Sequence, residues 1–175
     1  FTSSASEYQI DGLELAGSVT PLDGLEIYGG ATWLWARAKG DDGKTQLKMP
    51  YTPSFAFQGG FKYRFLRDFQ FSGDYQHLEG VYSGTSMRTA SPAQPASTFS
   101  RLTDNDRLNN IDVVNLRLDY FFSYDKLHLD EGRVFVGVDN LFDCKYGYTM
   151  EKQGSDHKLY YMPGTTFMAG FELKF

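Results

Sequence analysis

From residue 8 onward, apolar side chains return at every second position in run after run. Successive side chains of a strand point to opposite faces, so each run predicts a strand with one greasy and one polar face. The last run places Phe167, Ala169, Phe171, Leu173 and Phe175 on one face. Thr166, Met168, Gly170, Glu172 and Lys174 take the other. Residues 54–65 alternate as clearly, with Phe55, Phe57, Gly59, Phe61, Tyr63 and Phe65 against Ala56, Gln58, Gly60, Lys62 and Arg64. Similar runs occupy 8–20, 25–37, 69–82, 111–122 and 133–140, which gives seven strands. A further strand is conceivable at Phe1 to Ser6 or within 83–108.

The connections have a rhythm. Those at 21–24, 66–68 and 123–132 are short or medium, whereas those at 38–49, 83–108 and 141–162 are long. Outer-membrane barrels combine short periplasmic turns with long extracellular loops. The charged residues Glu14, Glu26, Lys62, Arg64, Asp74, Arg117, Asp119, Glu172 and Lys174 all fall opposite the apolar face. The pattern therefore predicts an apolar face free of charge, turned to lipid, and a lumen-facing wall that includes Glu14, Glu26, Lys62, Arg64, Asp74, Arg117 and Asp119. The predicted fold is all-β, an antiparallel up-and-down transmembrane barrel segment. A soluble β-sandwich or lipocalin-like barrel alternates too, with its apolar residues inward, but needs no long–short loop rhythm.

Composition fits this picture. Aromatic residues make up 17% of the 175, and Phe and Tyr dominate them; barrels use such residues on lipid faces and in interfacial girdles. Trp33 and Trp35 read as girdle residues. No stretch approaches the ~20 apolar residues of a membrane helix. A net charge of -5 argues against nucleic acid as a partner. The single cysteine, Cys144, excludes an internal disulfide and reads as a loop bystander. The first residues lack the basic start and apolar run of a signal peptide, so an exported protein of this kind is expected to have lost its signal or to extend beyond these residues.

Chemistry-bearing motifs are few. Ala38 to Thr45 fits a relaxed phosphate-loop pattern, but Pro50 and Pro53 block the helix it needs, and Asp41 and Asp42 repel phosphate. Asp104, Asp106 and Asp112 lack the spacing of a calcium loop. His77, His128 and His157 stand apart, without metal or catalytic spacing. No catalytic set, resident metal or cofactor is expected, and the chain does not read as an enzyme. Candidates for contacting a ligand are Tyr51, Tyr82, Arg88, Arg101, Tyr148 and His157, at strand ends and in the long loops. Arg107, Lys152 and Lys158 could add electrostatic steering.

Two segments near the end carry a resemblance. Val134 to Tyr148 reads VFVGVDNLFDCKYGY, and Pro163-Gly164-Thr165-Thr166-Phe167 leads into a final strand that ends on Phe175. This resembles the C-terminal end of TonB-dependent outer-membrane receptors. Asn140, Leu141, Phe142, Asp143 and Tyr146 match the first element, and Pro163, Gly164, Thr166, Phe167, Gly170 and Phe175 the second. Thr165 stands where the family often has Arg. The resemblance implies the tail of a roughly 22-stranded barrel, with residues 1–175 all barrel and the plug domain and coupling segment elsewhere. Gly170, Phe171, Leu173 and Phe175 look like the signal that barrel assembly machinery reads. It further implies energy-coupled uptake of a metal chelate such as a ferric siderophore, cobalamin or haem. The implied partners are outer-membrane lipid, the TonB complex through an N-terminal region, and the assembly machinery, with the C-terminus on the periplasmic side. The alternative is a small self-contained outer-membrane barrel with a structural, adhesive or enzymatic role.

Overall fold

The computed structural model describes residues 8–39, 46–49, 51–82, 107–124, 129–147, 149–153 and 156–174. Ten strands run in chain order: β1 (Tyr8–Leu22), β2 (Leu25–Lys39), β3 (Gln46–Lys48), β4 (Phe55–Phe65), β5 (Phe69–Glu79), β6 (Ile111–Tyr124), β7 (Leu129–Asp139), β8 (Thr149–Gln153), β9 (Asp156–Tyr160) and β10 (Thr166–Lys174). Seven of them form one antiparallel up-and-down sheet in the order β1-β2-β4-β5-β6-β7-β10, and short β3 pairs with the end of β2. The sheet is open: among the described residues, β1 and β10 each have one paired side. Sequential neighbours pairing throughout is the simplest outcome of hairpin connections.

The hairpin registers keep most of the alternating apolar positions on one face. Leu13 pairs with Trp33, which pairs with Phe55. Phe71 pairs with Leu118, Leu118 with Val136, and Val136 with Ala169. A one-residue slip anywhere would throw half of these side chains to the other face. Nothing among the described residues covers this face. Leu15 is 69% exposed, Phe171 75% and Phe167 81%. The buried hydrophobic residues are Val81, Tyr82, Leu108, Ile111 and Val113, a small cluster at the long-connection end.

Aromatic rings gather at both ends of the apolar face. Near the short turns, Tyr63 stacks on Phe65 and Phe65 on Phe69, each at 5.7 Å between centroids; Phe69 meets Tyr120 at 4.9 Å. Near the long connections, Trp33 meets Phe55 at 5.2 Å and Phe55 meets His77 at 5.9 Å. Ile27, Gly73 and Leu116 lie between the two belts, in one row with Phe61, whose ring meets Phe71 at 5.5 Å.

Several sequence expectations need correction. The 141–162 connection, read as a loop, contains the β8–β9 hairpin, paired from Thr149 with Tyr160 to Gln153 with Asp156. Glu151, Lys152, His157 and Lys158 leave it no apolar face, so alternation gives no signal there. The 38–49 loop likewise includes β3. The 123–132 turn is tighter than expected, because strand pairing runs out to Tyr124 with Leu129. Conversely, the strand expected over 69–82 stops at Glu79. Gly80 then turns the chain at φ 71, where an added Cβ would run into Ser54.

The charge-free apolar face also needs correction. Asp11 shares the register position of Trp35, Glu79 that of Phe55, and Asp112 that of His77. All three have the parity of the apolar face, as does Arg37 opposite Gln9. All sit at the long-connection end, at or beyond the upper aromatic belt. Among the residues whose side chains are described, the absence of charge holds for the middle of the face and its short-turn end, and fails at the other rim. The candidate strands at Phe1 to Ser6 and across most of 83–108 lie outside the described residues.

Candidate functional site

The polar face carries a connected set of charged and aromatic groups toward the short-turn end. Glu26 in β2 stands opposite Lys62 in β4, with their charged atoms 3.9 Å apart. The Lys62 ammonium lies 5.4 Å over the Tyr28 ring, and the Tyr28 hydroxyl donates to Asp74 Oδ1 in β5. Next comes a cluster centred on Asp119 in β6. Its side chain is 1% exposed, and its Oδ1 accepts from Arg117 Nε at 3.0 Å and from Arg133 Nε at 2.8 Å. The other oxygen, Oδ2, is enclosed and has no hydrogen-bond partner among the described residues. The nearby guanidinium charges must therefore compensate much of the desolvation of this carboxylate. Arg133 also reaches Glu172 in β10, at 3.6 Å.

Aromatic rings hold these guanidinium groups in place. The Arg117 guanidinium stacks over Phe135 at 3.8 Å from the ring centre, and Arg133 approaches the same ring at 5.7 Å. Phe121 takes Arg133 at 5.8 Å and Arg64 at 5.2 Å. A guanidinium over an aromatic face is attracted by the ring quadrupole while its in-plane N–H groups stay available. The Phe135 ring covers Gly170, where an added Cβ would sit 2.5 Å from the ring. This gives one physical reason for glycine at 170.

All seven residues expected on a polar wall, Glu14, Glu26, Lys62, Arg64, Asp74, Arg117 and Asp119, share this face by register. The structure links Arg117 with Asp119 and Glu26 with Lys62, and leaves Glu14 further up the sheet opposite Thr32. Arg133, Phe121 and Phe135 complete the cluster and were not singled out in the sequence. The signal was present: in β7 the valines take even positions, so Arg133 and Phe135 fall opposite them.

The motif residues near the end form a brace. Asn140, 4% exposed and at φ 51, closes β7. Asn tolerates this left-handed conformation better than most residues. Its backbone N–H donates to Asn115 Oδ1 at 2.9 Å. Its side-chain oxygen accepts from Cys144 N at 2.8 Å, while Nδ2 donates to Cys144 O at 3.0 Å and Pro163 O at 3.3 Å. Its carbonyl accepts from Thr165 Oγ1 at 2.9 Å. One side chain thus ties the end of β7 to the start of β10. Leu141 N reaches back to Val114 O, Phe142 is exposed, and Tyr146 O accepts from Met162 N. Asp143 Oδ1 accepts from Lys145 Nζ at 2.9 Å and Thr165 N at 3.3 Å, and Gly164 lies beside this carboxylate. The Lys145 ammonium first, then the Thr165 N–H, holds the Asp143 carboxyl below its ordinary range. Its folded-state preference for the ionised form is therefore present above that range and is lost as pH falls through the lowered value.

Of the ligand candidates, the structure brings Tyr51 and Tyr82 together: Tyr51 N donates to Tyr82 O at 2.8 Å. Tyr51 is exposed at φ 58, and Tyr82 is buried and bridges to Arg107. Beside them is a depression of about 480 Å³ whose lining includes Trp35, Arg37, Met49, Tyr82 and Arg107. His157 lies in β9 opposite Lys152, in a separate two-stranded sheet. Arg88, Arg101 and Tyr148 lie outside the described residues. So does Phe175, whereas Phe171 and Leu173 are exposed on the apolar face. No group of three or more potential metal-ligating side chains occurs among the described residues.

No family model matches the chain, and no curated protein matches it at a significant level.

Two outcomes follow from this geometry. Asn140→Ala removes three side-chain hydrogen bonds and leaves the Cys144 N–H without its acceptor, a loss of about 2–4 kcal/mol. The denaturant midpoint of the full-length protein should fall accordingly. Asp119→Ala strands two half-buried guanidinium groups and should cost about 2–3 kcal/mol. Asp119→Asn keeps an acceptor for them and should fall between this variant and the wild type in the same titration.

Proposed function

We propose that this chain is the C-terminal part of the barrel of a TonB-dependent outer-membrane receptor. In this reading it serves energy-coupled uptake of a metal chelate such as a ferric siderophore, cobalamin or haem. The observation that carries the reading is the uncovered apolar face of the seven-stranded sheet, bounded by two aromatic belts. Soluble monomers rarely leave more than a few hundred Å² of contiguous apolar surface exposed. The dimensions agree with a bilayer. From Phe55 to Phe65 the chain advances about 34 Å, or about 26 Å along the membrane normal at a tilt of ~40°, close to the ~25 Å apolar band of such barrels.

The other supports are the alternation of short and long connections and the end motifs around Asn140 and Pro163-Gly164. In this reading the polar face lines the lumen, and the rim with Asp11, Glu79 and Asp112 stands at the level of the lipid headgroups. Tyr51, Tyr82 and the long connections face the medium, where the chelate docks. The open edges of β1 and β10 pair with the remaining strands of a barrel of about 22. Lipid, the TonB complex and the barrel assembly machinery are the partners. The chain's part is to form wall and loops, with no catalytic step.

The facing assignment has a paired test in the full-length protein. Leu116→Arg places a charge against lipid between the two belts, near the middle of the band, at a cost of about 2–4 kcal/mol. Gln58→Arg places the same charge on the polar face. The first should lose the heat-resistant folded band on a gel, and the second should keep it; equal behaviour contradicts the assignment. For the receptor role, full-length protein in its membrane should bind or import at least one member of a panel of ferric siderophores, haem and cobalamin. Import should require an energised inner membrane. Failure across the panel in a folded, membrane-inserted protein counts against the role.

A further inference from the structure

We propose that Arg117, Arg133 and Arg64, held by Asp119, Phe121 and Phe135, form a binding site for a small oxyanion, a carboxylate or phosphate, at the short-turn end of the polar face. The inference rests on reading that face as a lumen wall; the site then lies toward the periplasmic mouth. Arg117 and Arg133 there meet the carboxylates of Asp119 and Glu172, and Arg64 adds a third guanidinium that meets neither. The cluster as it stands carries an excess of positive charge.

The geometry of the donors makes the excess usable. Arg117 spends its Nε on Asp119 and lays its plane on Phe135. Its two terminal nitrogens make no hydrogen bond among the described residues, and its side chain is 33% exposed. Arg64 spends its Nε on the Arg67 carbonyl at 3.0 Å, which leaves its terminal nitrogens toward the same face. In register, Arg64, Gln70, Asp119 and Phe135 form one row across four strands, and Arg117 lies in the next row beside Ser72. At ~4.8 Å between strands and ~6.8 Å between rows, the Cα atoms of Arg64 and Arg117 are about 12 Å apart, a span that two long arginine side chains can close around one anion. Asp119 is nearly fully enclosed and cannot itself meet a ligand. Its role is to fix Arg117 and Arg133, so that little side-chain entropy remains to be lost on binding. Planar guanidinium groups suit the paired oxygens of carboxylate and phosphate better than an ammonium does. An anionic cargo crossing the lumen would meet this site near its exit.

The test uses full-length protein folded in detergent micelles at constant ionic strength. Inorganic phosphate and succinate are titrated separately while the thermal transition is followed. Both anions should raise the transition of the wild type. Arg117→Gln should weaken the apparent affinity about tenfold, as expected for losing one charge-assisted pair. Lys145→Gln, an exposed cation in the connection after β7, should leave it unchanged. If Arg117→Gln fails to fold, Arg64→Gln, which holds no buried carboxylate, decides by the same criterion. No rise in the wild type, or an equal rise in wild type and the deciding variant, overturns the site; the latter is an adventitious ion only. Anion binding by a protein that imports no chelate leaves the site standing and removes the receptor reading. Import without any anion response removes the site alone.

Discussion

A single sheet with one apolar face must find cover for that face, and every other feature of this chain is arranged around that constraint. Burying apolar surface is worth roughly 25 cal/mol per Å². The face formed by Leu15, Leu118, Val136, Phe171 and their neighbours is continuous across seven strands. Register enforces this continuity, since each pairing from Leu13–Trp33 to Val136–Ala169 keeps like with like. The charges that share its parity are displaced to one rim, where Tyr75 donates to Asp112 at 2.6 Å and Arg107 meets Glu79 at 3.2 Å. A bilayer would accommodate this arrangement, with hydrocarbon against the middle and headgroups against the rim.

The opposite face obeys a second constraint. Register brings its charged side chains together across strands, as with Glu26 and Lys62 or Arg133 and Asp119, while Arg117 meets Asp119 two residues along the same strand. Arg117 and Arg133 are far apart in the chain, yet both end on one carboxylate oxygen of Asp119. The rings of Phe121 and Phe135 lie on the polar face and serve as platforms for guanidinium groups. The Asn140 brace works in a similar way, joining β7 and β10 through backbone groups rather than through a hydrophobic contact. In the proposed receptor, this brace and the anion cluster lie at opposite ends of the same strands.

Alternation made most of the sheet legible, because each main strand has one face of Phe, Leu, Val or Ile and another of polar residues. It failed where that contrast is absent. In the β8–β9 hairpin the sequence mixes Met150 and Leu159 with Lys152 and His157 at one parity, and β3 has three residues. Asp11, Glu79 and Asp112 show that parity alone does not say where along a strand the apolar environment ends. The site was legible in part. Individual polar-wall residues followed from parity, but the convergence of Arg117 and Arg133 on Asp119 depends on hairpin register, which alternation does not fix. The role of Asn140 was visible as a motif, and its mechanism needed the six hydrogen bonds made by its backbone and side chain.

The central claim is that the apolar face lies against lipid while the polar face meets water. Single spin labels placed in turn at positions 55 through 65 of the full-length protein in lipid vesicles test it directly. The account predicts that odd positions collide with oxygen dissolved in the bilayer and even positions with a water-soluble nickel chelate, in strict alternation. Uniform access to the nickel chelate, or alternation of the opposite phase, would contradict it.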